Sequence, residues 1–186
     1  MAIQHVIGFD DAPFARERRG DVPIVGAVFC GPRLEGVLLG RVRRDGANAT
    51  AVLRDLVGGS RFAAHLQLVF LQGISLAGFN VVDIQALWQA LGIPVVTVAR
   101  RSPDLGAIEA ALRTRVPGGA RKLRVLRRAG PMEPLAGVWV QRAGIEAREV
   151  ERVIRRFALN GNIPEPLRAA HLIAGALVTG QSTGRV

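Results

Sequence analysis

The sequence of 186 residues has no tyrosine, one cysteine and only 5% aromatic residues. Each scarcity removes something. A single Cys30 excludes an intrachain disulfide and a zinc site built on several thiolates, and its place at the end of an apolar run predicts a buried thiol. His5, His65 and His171 are too scattered along the chain to form a zinc signature. The few aromatics argue against a stacking platform for single-stranded nucleic acid. No apolar run has the length to span a bilayer, and "MAIQHVIGFDD" lacks a basic start followed by a signal-like core. Those two absences predict no membrane association and a cytoplasmic location. Repeats of fixed period and low-complexity tracts are absent as well.

What is present is apolar and basic. Hydrophobic residues make up 49% and charged residues 22%, enough to bury a sizeable core and to predict one domain over residues 1–186. Lys and Arg total 25 against 15 Asp and Glu, a net charge of +10, and Lys122 is the single lysine. Such a balance favours a polyanionic partner, and the planar guanidinium suits bidentate phosphate contacts. A coding bias toward arginine produces the same composition, so charge alone does not decide.

Three strand-like runs open the chain: "IQHVIGF", "VPIVGAVFC" and "LEGVLLGRVRR", the last running into the turn "DGAN". A short helix follows, with Leu53, Leu56 and Val57 on one face and Gly58-Gly59 at its end. "HLQLVFLQ" reads as a strand, Asp83 to Leu91 as a helix and "IPVVTVAR" as a second strand, together a βαβ unit. In "SPDLGAIEAALRTRV", Ser102 is the predicted N-cap and Pro103 the first helical residue. "RKLRVLRRAG" and "LAGVWVQRAG" read as a hairpin-like pair. Glu146 to Leu159 predicts a helix with Val150, Val153, Ile154 and Phe157 on its apolar face. A last helix from "NGNIPEPLR" sets Leu167, Ala170, His171, Ala174, Leu177 and Val178 on one stripe, with Asn162 and Glu165 at capping-box spacing. This element order is that of an α/β ribonuclease H-like fold: a mixed sheet of three antiparallel strands and then βαβ, flanked by helices. In it the first and fourth strands are neighbours, so Asp10 and Gln72 are expected to face one site.

Several residues carry chemistry beside a plainer role. Asp10 and Asp11 leave a strand together, which suits a divalent cation, whereas Asp before Pro13 is also common in solvated turns. Glu35 in an apolar strand is either on the solvated face or aimed at a metal or an arginine. Asp45 precedes glycine and reads as a turn residue. The loop "QGISLAGFN" lacks the Lys-Ser/Thr ending of a phosphate-binding loop, which argues against a nucleotide hydrolase, and Asn80 either meets a phosphate or caps a helix. Arg100 and Arg101, beyond the second parallel strand, and Arg168, on the last helix, are candidates for nucleic-acid contacts, with solvated arginines as the alternative. His171 is either a core residue with one satisfied hydrogen bond or a catalytic group.

Taken together, "IGFDDAPF", "LEGVLLGRV", "GISLAGFNVVDI", "VARRSPD", "AGI" and "GNIPEPLRAAHLIA" resemble the endonuclease-dU-like family, a relative of endonuclease V in the ribonuclease H-like superfamily. The resemblance covers essentially the whole chain. It implies a metal-dependent cut near an altered base such as deoxyuridine, with DNA favoured over RNA as partner. By the same analogy Asp10 matches the first-strand acid, and Gln72 stands at the position of the fourth-strand acid. An amide can offer its carbonyl oxygen to a cation but adds no negative charge, which lowers metal affinity. The implied ligands for Mg²⁺ or Mn²⁺ are therefore Asp10 with Asp11 or Glu35. Two other readings remain open: a nucleic-acid-binding module that has lost an acid at Gln72, and a partner-binding scaffold whose basic charge is incidental.

Overall fold

The computed structural model describes residues 2–15, 17 and 19–183. Apolar alternation becomes three antiparallel strands, β1 (His5–Asp11), β2 (Asp21–Cys30) and β3 (Arg33–Arg43). β2 is buried nearly throughout, whereas β3 alternates as an outer strand does. Helix α1 (Ala49–Gly58) turns Leu53 and Val57 inward and stops at Gly59. Then come β4 (Leu68–Gln72), the two-residue strands β5 (Ser75–Leu76) and β6 (Asn80–Val81), α2 (Ile84–Leu91) and β7 (Val95–Ala99). Helices α3 (Leu105–Thr114) and α4 (Gly119–Arg128), strands β8 (Glu133–Leu135) and β9 (Val138–Ala143), and helices α5 (Ala147–Phe157) and α6 (Glu165–Thr179) complete the order.

The main sheet runs β3-β2-β1-β4-β7-β9-β8. β1 is antiparallel to β2 and parallel to β4, β4 is parallel to β7, and β9 is antiparallel to β7. This is the ribonuclease H-like mixed sheet that the element order predicts, with β1 and β4 adjacent at its centre. Phe9, Ile7, Ile24, Phe70, Leu68 and Leu71 are fully buried there. Each side chain of that size contributes about 1.5–3 kcal/mol when removed from water.

One contact fixes the site's geometry. A Cβ on Gly8 would lie 2.5 Å from the carbonyl carbon of Pro166 and 2.7 Å from the amide nitrogen of Leu167. Helix α6 therefore rests directly on the backbone of β1, and only glycine permits that approach.

Four local expectations are corrected. "RKLRVLRRAG" is helix α4 instead of a strand, and the hairpin is β8 with β9. Leu123 and Leu126, three residues apart, pack with Leu112 of α3 while Arg124 and Arg127 stay exposed. A helical partner rewards period three over the alternation of Leu123 with Val125. Helix α3 starts later than predicted, because Asp104, not Ser102, accepts the hydrogen bond from the Ala107 amide, at 2.9 Å. At α6 the N-cap is Pro164; Asn162 instead donates to the Gly137 carbonyl, and buried Glu165 pairs with Arg168. The apolar stripe of α6 also outlasts the surface it covers, leaving Leu177 and Val178 exposed.

Candidate active site

The parallel register of β1 and β4 pairs Phe9 with Leu71, so the next residues, Asp10 and Gln72, leave the sheet side by side. Both line one cleft of about 860 Å³, with Asp11, Phe14, His171 and Thr179 among its other walls. Asp10 is buried, only 5% exposed. Its Oδ1 accepts the Asp11 amide at 2.9 Å, and its Oδ2 lies 2.8 Å from Nδ1 of His171 on α6. Burial, and then the charge of Asp11, push the Asp10 carboxyl up to about 7 against the pull of His171. Burial also raises the Asp11 carboxyl, opposed first by the hydrogen bond from the Ala77 amide. Gln72 Oε1 is buried without a hydrogen-bond donor. Such an acceptor is costly unless something positive meets it.

These donors suit a divalent cation. Asp10, Gln72 and His171 all line the cleft, Gln72 Oε1 lies buried without a partner, and burial raises the Asp10 carboxyl, so positive charge beside these oxygens would be stabilising. Asp11 belongs to the second rank, because its Oδ2 is turned onto the Ala77 amide at 2.6 Å. That bond braces the β4–α2 loop, where Ala77 holds φ +50°. Asp45, also at φ +50°, is the turn residue predicted and further accepts from the Phe79 amide at 2.8 Å. Buried Lys122 donates to the Asp45 carbonyl.

Two expected members of the site lie elsewhere. Glu35 is held by Arg33 at 2.6 Å and faces His5 at 3.8 Å. It therefore sits at the amino end of β1, roughly 16 Å along the strand from Asp10 at about 3.3 Å per residue. The cause is connectivity. β2 runs antiparallel to β1, so the β2–β3 turn falls beside His5, and counting residues back along the hairpin would have placed Glu35 there. Asn80 is fully buried: its Oδ1 accepts the Ala49 amide at 3.0 Å, and its Nδ2 donates to the Arg43 carbonyl and Asn48. It therefore caps α1, not the helix that follows it, and cannot meet a phosphate.

The arginines line a different hollow. Arg100 and Arg168 border about 320 Å³ with Asn160 and Asn162, while Arg101 is exposed. Arg168 is held at 2.8 Å by Glu165, one turn of α6 before His171. Phe14 is a wall residue that sequence reasoning passed over. Its signal was an aromatic three residues past the first-strand acid pair, and Arg44 covers part of its ring at 5.6 Å. Cys30, predicted buried, is half-buried, and His5 and His65, apart in sequence, have ring centroids 6.1 Å apart. No helix among the described residues is long and apolar enough to cross a membrane.

Known proteins resemble this chain at two distances. A UPF0215 protein of Deinococcus radiodurans is 60% identical over 183 residues, covering 98% of this chain and 93% of that one. The crystal structure of a protein of unknown function from Archaeoglobus fulgidus superposes with a TM-score of 0.89 at 34% identity, over 95% of this chain and 99% of that one. Endonuclease V of Ciona intestinalis, in complex with a 24mer DNA containing an inosine followed by a ribo-adenosine, superposes with a TM-score of 0.56 at 12% identity, over 90% and 83%. That last likeness is one of fold. The profile of the Endonuclease dU family matches residues 3–178, nearly the full length, and the chain belongs to that family.

Proposed function

We propose that the protein is a metal-dependent nuclease that cuts a DNA phosphodiester beside an altered base such as deoxyuridine. The observation that carries this reading is the meeting of Asp10, His171 and Gln72, whose buried amide oxygen has no partner, along one cleft at the carboxyl ends of β1 and β4. Asp10 and Gln72 would hold Mg²⁺ or Mn²⁺, and such a cation, when bound, lowers the pKa of water and stabilises charge on phosphoryl oxygens. His171 orients the Asp10 carboxylate and, with its side chain 41% exposed, is positioned to pass a proton between that acid and the cleft. Arg100 and Arg168 hold the flanking backbone, since phosphate contacts fix register without reading sequence. Phe14 offers a ring against which an extruded base can rest. Family membership and the endonuclease V-like fold support the same reading.

The test is cleavage of an end-labelled duplex with one deoxyuridine, in Mn²⁺ and in chelator. Expected are a single cut that needs metal and its loss in Asp10→Asn. No cut by the wild-type protein in Mg²⁺ or Mn²⁺ would reject the nuclease. Gln72 specifically favours a second reading, a binding module, because the fourth-strand position carries no charge. Salt-dependent binding to the same duplex without cleavage would establish that reading.

A further inference from the structure

The opposite end of β1 carries a second convergence of ligating side chains. His5 and Cys30 stand directly across from each other in the β1–β2 ladder, so their side chains leave the sheet on one face. The β2–β3 ladder then steps over a residue: Phe29 opposes Leu34 and Val28 opposes Gly36, leaving Glu35 without a cross-strand partner. A bulge of this kind re-aims a side chain. Here it accompanies a Glu35 carboxylate whose Oε2 lies 3.8 Å from His5 Nε2. The ligating atoms of His5, Cys30 and Glu35 all lie within 4.8 Å of one another, the one such group of three His, Cys, Asp or Glu residues among those described. Arg33 holds the other carboxylate oxygen, Oε1, at 2.6 Å, which sets the orientation of Glu35 and leaves Oε2 to the cluster. A hollow of about 460 Å³ opens beside Glu35 between Arg33, Arg61 and Phe62, giving solvent a route in.

We propose that His5, Cys30 and Glu35 form a binding site for a borderline transition-metal cation, with Zn²⁺ as its ligand of choice. An imidazole nitrogen, a thiolate and a carboxylate oxygen are three of the donors Zn²⁺ takes in tetrahedral sites, with water or a fourth side chain completing the shell. His65, its ring centroid 6.1 Å from that of His5, is the nearest further imidazole. Mg²⁺ and Ca²⁺ are poor occupants, because hard cations avoid sulfur. On ligation the Cys30 Sγ–H bond breaks, its proton goes to solvent, and the sulfur lone pair forms the bond to the cation; nothing is oxidised or reduced. The bound ion ties the amino end of β1 to β2 and β3, and by linkage it stabilises the folded chain.

The experiment titrates the reduced, chelator-treated full chain with Co²⁺ alone and then with Zn²⁺. Since Cys30 is the single cysteine, a thiolate-to-cobalt charge-transfer band can arise only here. Expected is such a band saturating at one equivalent, abolished by Zn²⁺ and unchanged in Asp10→Asn, which separates this site from the proposed nuclease centre. Cys30→Ser should lose the band, and His5→Gln and Glu35→Gln should each weaken Zn²⁺ binding by about tenfold or more. If Cys30→Ser does not fold, the other two variants decide alone. No charge-transfer band in the wild-type protein, or wild-type Zn²⁺ affinity in His5→Gln and Glu35→Gln, overturns the proposal.

Discussion

The two ends of β1 differ in chemistry although one strand builds both. At the carboxyl end, Asp10 and Gln72 line a cleft with only oxygen and nitrogen side-chain atoms to offer, and helix α6 supplies an imidazole. At the amino end, Cys30 and Glu35 join His5 from the neighbouring antiparallel strands, with sulfur among the donors. The difference follows from topology. Parallel neighbours deliver their carboxyl ends to the same edge, whereas antiparallel neighbours bring hairpin turns, so one edge collects strand ends and helix faces and the other collects the residues around turns. Donor softness then separates the cations each end can hold.

The comparison breaks most sharply under pH. The folded-state pKa of Asp10 is raised from 3.8 to about 7, so its favourable contribution is fully present below pH 3.8 and is lost as pH rises through 7. The stability of metal-free wild-type protein relative to Asp10→Asn should therefore fall by a few kcal/mol across that window, at about 1.36 kcal/mol per pKa unit as an upper bound. Urea melts of both proteins in chelator at several pH values measure it. A difference independent of pH would mean that the carboxyl end carries no buried-acid penalty and the two ends are electrostatically alike.

Gly8→Ala comes next. Its Cβ would meet the backbone at Pro166 and Leu167, so α6 must shift, and overpacking of this kind costs about 1–3 kcal/mol. Because α6 carries His171, Mn²⁺ affinity at the carboxyl end should drop with stability while Zn²⁺ affinity at the amino end holds. Thermal melts and paired calorimetric titrations check both, and equal loss at the two ends would show that Gly8 acts through the sheet as a whole.

Gln72→Asp sharpens the contrast. A second carboxylate beside Asp10 should raise Mn²⁺ affinity by about tenfold, the order of one added charged ligand, and lower stability in chelator through like-charge repulsion. Melting with and without Mn²⁺ reads both signs. If the variant shows neither, Gln72 and Asp10 do not share a cation.

The smallest effect belongs to the arginines. Replacing Arg100 and Arg101 with Ala should weaken binding to duplex DNA and reduce the slope of log K against log salt by about 0.9 for each phosphate left unneutralised. Fluorescence anisotropy across a salt series measures the slope. An unchanged slope would leave the carboxyl end without its proposed DNA path.

How far this contrast could be read in advance depends on the range over which each residue's neighbours are chosen. Asp10 and Gln72 were legible because the element order matches a fold in which β1 and β4 are neighbours, and strand ends are marked by where the apolar runs stop. Glu35 was misplaced by weighing residue type without counting the hairpin, which was countable. The cluster of His5 with Cys30 follows from the same count, so it was present in the sequence and overlooked. Other features were beyond it. Asn80 reaches back across 31 positions to cap α1, and Lys122 reaches 77 to the Asp45 carbonyl. Helix α4 carries both alternating and three-spaced apolar residues, and only the presence of α3 beside it selects one. The close seat of α6 on Gly8 had no local mark either, since glycine in a strand signals an approach without naming what approaches.

The Asp10–His171 bond joins positions 161 residues apart. Chains are made from the amino terminus at about 5–20 residues per second, so roughly 10–30 s separate the synthesis of the acid from that of its imidazole partner. Throughout that interval β1 can pair and fold while its acid has no helix seated over it. Ribosome-bound intermediates and chains truncated before α6 therefore lack the Asp10–His171 contact, so the proposed centre is complete only once α6 has been made and docked.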